Sequence, residues 1–169
     1  MSISSVRQAL SAQGWAGTIL EFAESSATVE LAAAQAGTEP RRIAKTLAFA
    51  GQPGSPAPSG NAILVVAAGD ARVNGGMFKR AFGSKPSMLK FDEVEPLTGH
   101  PVGGVCPFAN PETALVYLDE SLRRFDSVFP AAGSANSAVE MNLAELERLS
   151  GAVGWVDVCA GWRDDQAER

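Results

Sequence analysis

Lys45 lies in the run Ile43–Phe49, IAKTLAF. Side chains alternate across a strand, so a strand here puts Ile43, Lys45, Leu47 and Phe49 on one face and Ala44, Thr46 and Ala48 on the other. A lysine sharing a face with three large apolar side chains is unusual, because burying an unpaired ammonium costs several kcal/mol. It needs a partner, an anion or a cavity, or else a strand end from which it snorkels to water. The loop Gly99–Pro107, GHPVGGVCP, is the second candidate. Gly103 and Gly104 let backbone approach a ligand closely, while Pro101 and Pro107 stiffen the chain. Such a loop holds an ammonium with its carbonyls, holds an oxyanion with N–H groups around Val102, or is simply a tight connection. Its glycines match neither a P-loop nor a dinucleotide fingerprint. In Gly133–Ser137, GSANS, Ser134 and Asn136 offer small side chains to a small polar ligand, or form an ordinary turn. His100 is the one histidine of the chain, hence the one partner for Ser–His or Cys–His chemistry. Cys106 follows it closely, but the spacing fits no nucleophile motif. His100 therefore reads as a loop or pocket-lining residue ahead of a general base.

These residues need elements to position them. The pattern predicts a helix over Ser4–Gln13 stopped by Gly14, a brief strand at Thr18–Phe22, and a helix over Val29–Ala36 capped by Thr28 and ended by Gly37. Pro40 opens a helical turn before strand Ile43–Ala50. GQPGSPAPSG (51–60) is a loop, and Ala62–Ala68, apolar on both faces, is a central strand. A helix over Asn74–Phe82, a short strand at Met88–Phe91 and a helical segment capped by Asp92 and running to Leu97 follow. Further strands are predicted at Ala114–Leu118, Ser127–Ala132, Ala138–Met141 and Val153–Val158. Asp119–Leu122 is a turn or short helix. Asn142 and Glu145 form a capping box for a helix over Leu143–Leu149. The tail from Gly161 reads as frayed, Trp155 as core, and Trp162 is left open. Irregular alternation, without a steady βαβ rhythm, predicts an α+β fold with a mixed, curled sheet flanked by helices.

At 169 residues the size is that of one domain spanning 1–169, large enough for a core without disulfide or metal staples. Two cysteines and one histidine exclude a disulfide scaffold and a structural zinc site. The longest apolar run, around Ala62–Ala68, falls short of the roughly 20 residues of a bilayer span. No secretory signal is evident, so the cytoplasm is the expected compartment. The net charge of −5 conceals a strong asymmetry. Residues 40–91 carry eight basic residues against the lone acid Asp70, whereas 92–169 carry five against fourteen acids. The basic segment is either a patch for an anionic partner or a solvated surface neutralised on folding.

Six stretches occur in an order that resembles the YbaK / prolyl-tRNA-synthetase-associated editing domain family. They are TVELAAAQAG (28–37), RRIAKTLAF (41–49), NAILVVAAGDARVN (61–74), TGHPVGGVCPF (98–108), ALVYLDESL (114–122) and FPAAGSANSAVEMNLAELERLSGA (129–152). The resemblance implies a compact mixed sheet curled toward a barrel. It also implies hydrolysis in trans of mischarged aminoacyl-tRNA, often tRNA(Pro) carrying a small wrong amino acid, with no metal, cofactor or covalent nucleophile. The family's functional lysine matches Lys45, with Thr46 beside it. Its glycine-rich substrate loop falls on Gly99, His100, Pro101, Val102 and Gly103, with Gly104 following; here the proline stands one position earlier than in the family pattern. Gly133–Ser137 matches the other pocket wall. Arg72, Lys79, Arg80, Lys85 and Lys90 become candidates for tRNA phosphates. The implied partners are the acceptor end of an aminoacyl-tRNA and, transiently, a synthetase, not DNA or a membrane. A non-catalytic binding module acting beside a synthetase and a Cys106–His100 thiol hydrolase are the competing readings.

Overall fold

The computed structural model describes Ser2–Arg163. The predicted frayed tail from Gly161 lies mostly outside the described residues. In chain order the elements are α1 (Ser2–Ala12), β1 (Leu20–Glu21), α2 (Val29–Ala36), a 3-10 turn (Pro40–Arg42), β2 (Ile43–Ala50), β3 (Ala62–Ala68), β4 (Arg72–Val73), α3 (Gly75–Phe82), α4 (Phe91–Thr98), β5 (Leu115–Asp119), a second 3-10 turn (Glu120–Arg124), β6 (Ser127–Pro130), β7 (Ser137–Ala138), β8 (Met141–Asn142), α5 (Leu143–Ser150), β9 (Gly154–Val156) and β10 (Cys159–Ala160). The fold is α+β, with a six-stranded mixed sheet in the order β8-β6-β2-β3-β5-β9 curled into a half-barrel. β2 pairs antiparallel with β3, while β2–β6, β3–β5 and β5–β9 are parallel. β3 is buried along its whole length, as a run apolar on both faces requires.

The helix ends follow local chemistry. Thr28 Oγ1 accepts the Leu31 N–H at the start of α2, and Gly37 closes it in the left-handed conformation. Asn142 and Glu145 form a reciprocal capping box on α5. α3 packs its Phe78 between Phe49 of β2 and Phe82, and Phe82 meets Tyr117 of β5. Ring centroids 4.6–5.0 Å apart make a continuous aromatic ladder across the sheet.

Four predicted elements differ. Met88–Phe91 is not a strand: Met88 makes one bridge to Phe49, and Phe91 already opens α4. The N-cap is Lys90 rather than Asp92, and Glu93 turns back to accept the Lys90 N–H at 2.9 Å. The stretch Ala138–Met141 divides between β7, which pairs with β1, and β8, which pairs with β6. The predicted strand Val153–Val158 shortens to β9, Gly154–Val156, with the Val158 N–H donating to the buried Asp119 carboxylate at 2.9 Å, and β10 follows as an unpredicted strand. Trp155 is half-buried on edge strand β9, under the Arg123 guanidinium, whereas Trp162 enters the core.

Candidate functional site

β2 positions Lys45 at a cleft of about 220 Å³. Its Nζ donates to the Ala71 carbonyl at 2.5 Å and the Gly69 carbonyl at 3.2 Å. An ammonium has three donors, so one is left for the cleft that Lys45 lines. The carbonyls that hold this ammonium thus come from the β3–β4 turn, the partner that a lysine on an apolar face requires. Burial lowers the Lys45 pKa below its usual 10.5, an effect partly opposed by the nearby Asp70 carboxylate. Asp70 itself is engaged by Arg124 in a two-point ion pair at 2.6 and 3.0 Å.

The outer edge of β2 explains why a cleft forms here. β6 covers it at Ile43–Ala44. At the other end, the Ala50 N–H donates to Ser87 O and the Leu89 N–H to Ala48 O. Between these two coverings the edge is open at Lys45–Leu47, and the Thr46 hydroxyl is buried there without a protein partner among the described residues. The opposite wall is the start of α2, Ser26 to Ala32, which sequence reading treated only as a helix cap. Ala27, Ala32, Ala44, Ala131 and Ala138 keep the walls close. Ser26, Thr28, Thr46 and Ser137 are the other polar groups, and among the described residues no carboxylate, imidazole or thiol lines the cleft.

Of the predicted site residues, Lys45, Thr46 and Gly103 line this cleft. Gly103 adopts φ +89°, and a Cβ there would lie 3.4 Å from Ala135 and 3.6 Å from Ala27. Gly104 is beneath it, its N–H donating to Pro101 O, and Val102 is exposed at the tip. That N–H is therefore not free for an oxyanion. Gly99 ends α4 at φ +84°. Gly133, Ser134 and Asn136 stand behind the wall rather than in it. Asn136 donates to Phe22 O, while Asn136 O and Ala135 O accept the Phe22 and Ser26 N–H groups. The turn thereby fixes the segment entering α2.

His100 requires a correction. It is fully buried, with Nε2 donating to Phe108 O at 2.6 Å and Nδ1 meeting the Ser2 hydroxyl. Burial lowers its pKa, so it is a neutral strut of the loop and does not line the cleft. Cys106 Sγ lies 3.4 Å from His100 Nε2, but burial pushes its thiol up to about 12. A thiolate nucleophile is disfavoured there. Iodoacetamide on the native protein is expected to leave both cysteines unmodified and activity intact. Inactivation in step with alkylation would revive the thiol reading.

Arg72, Lys79, Arg80, Lys85 and Lys90 are all exposed, and none makes an ion pair among the described residues. They do not ring the cleft. Arg72 stands close enough to Lys45 to depress its pKa, whereas Lys85 and Lys90 flank the segment paired with the far end of β2.

Among the described residues, no group of three or more His, Cys, Asp or Glu is arranged to hold a metal ion. No helix is long and apolar enough to cross a membrane. A small cleft with one anchored cation and hydroxyl groups suits an already activated bond on a small substrate. The chain belongs to the aminoacyl-tRNA editing domain family, whose model matches residues 23–149. It is 45% identical over 162 residues to the uncharacterized protein YwhH of Bacillus subtilis (strain 168), covering 96% of this chain and 99% of that one. Its fold matches a solved structure described as a candidate trans-editing enzyme for prolyl tRNA synthetase, with TM-score 0.82, 30% identity and coverage of 95% and 98%. It also matches the hypothetical protein APE2540, with TM-score 0.79, 31% identity and coverage of 92% and 99%.

Proposed function

We propose that the protein is a trans-editing hydrolase that cleaves the ester of a mischarged aminoacyl-tRNA, in the first instance tRNA(Pro) carrying Ala, Cys, Ser or Thr. The observation that carries this reading is Lys45, tethered by two carbonyls with one donor left for a cleft walled by alanines. Water attacks the ester carbonyl, and the tetrahedral oxyanion collapses as the bond to the ribose oxygen breaks. The free amino acid departs, and the ribose oxygen takes up a proton. Lys45 stabilises negative charge on the carbonyl oxygen or on the neighbouring phosphate. The Thr46 hydroxyl and the loop at Gly103 orient the aminoacyl group. No cleft side chain is an evident base at neutral pH, so the neighbouring ribose hydroxyl relays the proton. Selection is by volume: the alanine walls admit a small side chain and exclude a larger one by clash.

Charging tRNA(Pro) separately with Ala, Cys, Ser, Thr and Pro and following ester loss tests this. The expected result is turnover of one or two small noncognate esters with Pro spared; indiscriminate turnover would contradict selection by volume.

The unpaired cations of 72–90 supply the electrostatic part of tRNA binding, together with a transient synthetase contact that delivers the substrate. Binding is then salt-sensitive, log K falling with log salt by roughly 0.7–0.9 per neutralised phosphate. Replacing Lys85 and Lys90 together by Glu is expected to flatten that slope by about one to two units. An unchanged slope would move the RNA path elsewhere.

A further inference from the structure

The segment 84–91 carries a feature that neither the cleft nor the charge accounts for. Phe91 is 81% exposed and Met88 57%, two of the three most exposed large hydrophobic side chains among the described residues. Leu89 between them is buried and its N–H is tied to Ala48 O, so the backbone presenting them is fixed. Phe91 is fixed again as the first residue of α4, behind the Glu93–Lys90 cap. Lys85 and Lys90 flank Met88 in the chain, Lys90 directly precedes Phe91, and Lys79 and Arg80 close α3 upstream, all without ion pairs among the described residues. Asp92 and Glu93 follow in the first turn of α4, and Glu93 is occupied by its cap. Exposed apolar side chains on a fixed backbone next to free cations match the way proteins hold RNA, with bases stacked on the hydrophobic groups and phosphates on the charges. Such a setting is a poor match for an apolar protein surface, because interface cores are depleted in lysine.

The distance to the cleft gives the ledge its place. Met88 stands opposite Phe49, four residues along β2 from Lys45, which is about 13 Å at ~3.3 Å per residue. A few unpaired nucleotides cross that gap. We infer that Met88 and Phe91 form a stacking ledge for the terminal base pair of the tRNA acceptor stem, from which the unpaired 3′ end runs to the Lys45 cleft. This rests on the editing reading, and it assigns the stem end to a surface that the cleft alone does not define.

The test uses the full chain and two probes. The first is an uncharged tRNA(Pro) acceptor-stem hairpin with its unpaired 3′ end. The second is alanine esterified to free adenosine, which has no stem to stack. Phe91→Ala is expected to weaken hairpin binding about five- to tenfold. It should raise KM for alanyl-tRNA(Pro) by the same factor and leave kcat and the hydrolysis of alanyl-adenosine unchanged. Phe91→Trp should restore binding, which a merely structural role for the ring would not produce, and Met88→Ser should act in the same direction as Phe91→Ala. Wild-type binding of the hairpin with no change in Phe91→Ala overturns the ledge while leaving the editing reading intact. Failure of the wild type to bind the hairpin while it still hydrolyses alanyl-adenosine overturns the ledge alone; no binding and no hydrolysis of either ester overturns both. Unchanged hairpin binding with lost association to the synthetase assigns the surface to a protein partner and overturns the RNA proposal.

Discussion

Replacing Lys45 by alanine is expected to lower kcat for ester hydrolysis by about 10²–10³, the usual cost of losing one preorganised charge or donor at a developing oxyanion. The fold should survive, because the side chain is tied to two carbonyls of a turn and is not packed as a core filler. Binding of uncharged tRNA should fall little, since Arg72, Lys79, Arg80, Lys85 and Lys90 are retained. Circular dichroism, hairpin binding and single-turnover kinetics on one preparation separate these effects. The wild type should also show an alkaline limb. The protonated lysine is the working form, and burial lowers its pKa below 10.5. Activity therefore falls as pH rises through that lowered pKa. The same shift acts oppositely on stability. Between the lowered folded pKa and the unfolded lysine value the unfolded chain binds more protons, so the Lys45 contribution to stability rises with pH there. Activity lost while stability is maintained distinguishes deprotonation of Lys45 from alkaline unfolding.

Gly104→Ala is expected to damage the site from beneath. A Cβ at this position would lie 2.8 Å from both the N and Cα of Ser134 and 2.9 Å from the Gly133 carbonyl carbon. All three are backbone atoms, and Gly133 is itself packed against Ser2, so the neighbour cannot yield by rotating a side chain. Overpacking of this kind costs about 1–3 kcal/mol, which lowers Tm by several degrees in a chain of this size. The separation of the two loops would also displace Gly103 and Val105 from the cleft wall, so deacylation should drop well beyond the loss of folded protein. Gly75→Ala is the control. It lies in the first turn of α3 with nothing within 4 Å of the added Cβ, and it should be neutral or slightly stabilising. Similar thermal and kinetic behaviour of the two variants would show that the loops do not need their close approach.

Much of this arrangement was legible in local sequence. β2 and β3 follow from alternation and from a doubly apolar run, and α2 and α5 from their caps, because neighbouring residues decide those features. Lys45 was legible because an ammonium in an apolar face demands an explanation. Thr46 and Gly103 line the same cleft as Lys45. What the sequence hid is set by distant partners. His100 is a strut only because Ser2 and Phe108 meet its two ring nitrogens from far along the chain or across the loop. The carbonyls that hold Lys45 belong to a turn more than twenty residues away. Ser134 and Asn136 back the wall because their turn pairs with Phe22 and Ser26, and no local rule announces that pairing. The α2 start was read correctly as a helix cap, but its place opposite Lys45 depends on how α2 packs on Ile43 and Phe129.

The most direct measurement is ester loss from alanyl-tRNA(Pro) and prolyl-tRNA(Pro), each incubated with wild type, with Lys45→Ala and with no protein. The account predicts rapid loss of alanine with the wild type, prolyl ester decay no faster than the uncatalysed rate, and a Lys45→Ala variant that binds the tRNA and leaves both esters standing. Wild-type protein that binds the charged tRNA and accelerates neither this hydrolysis nor that of the cysteinyl, seryl and threonyl esters would contradict it, and would make the cleft a site that holds an aminoacyl end without cleaving it.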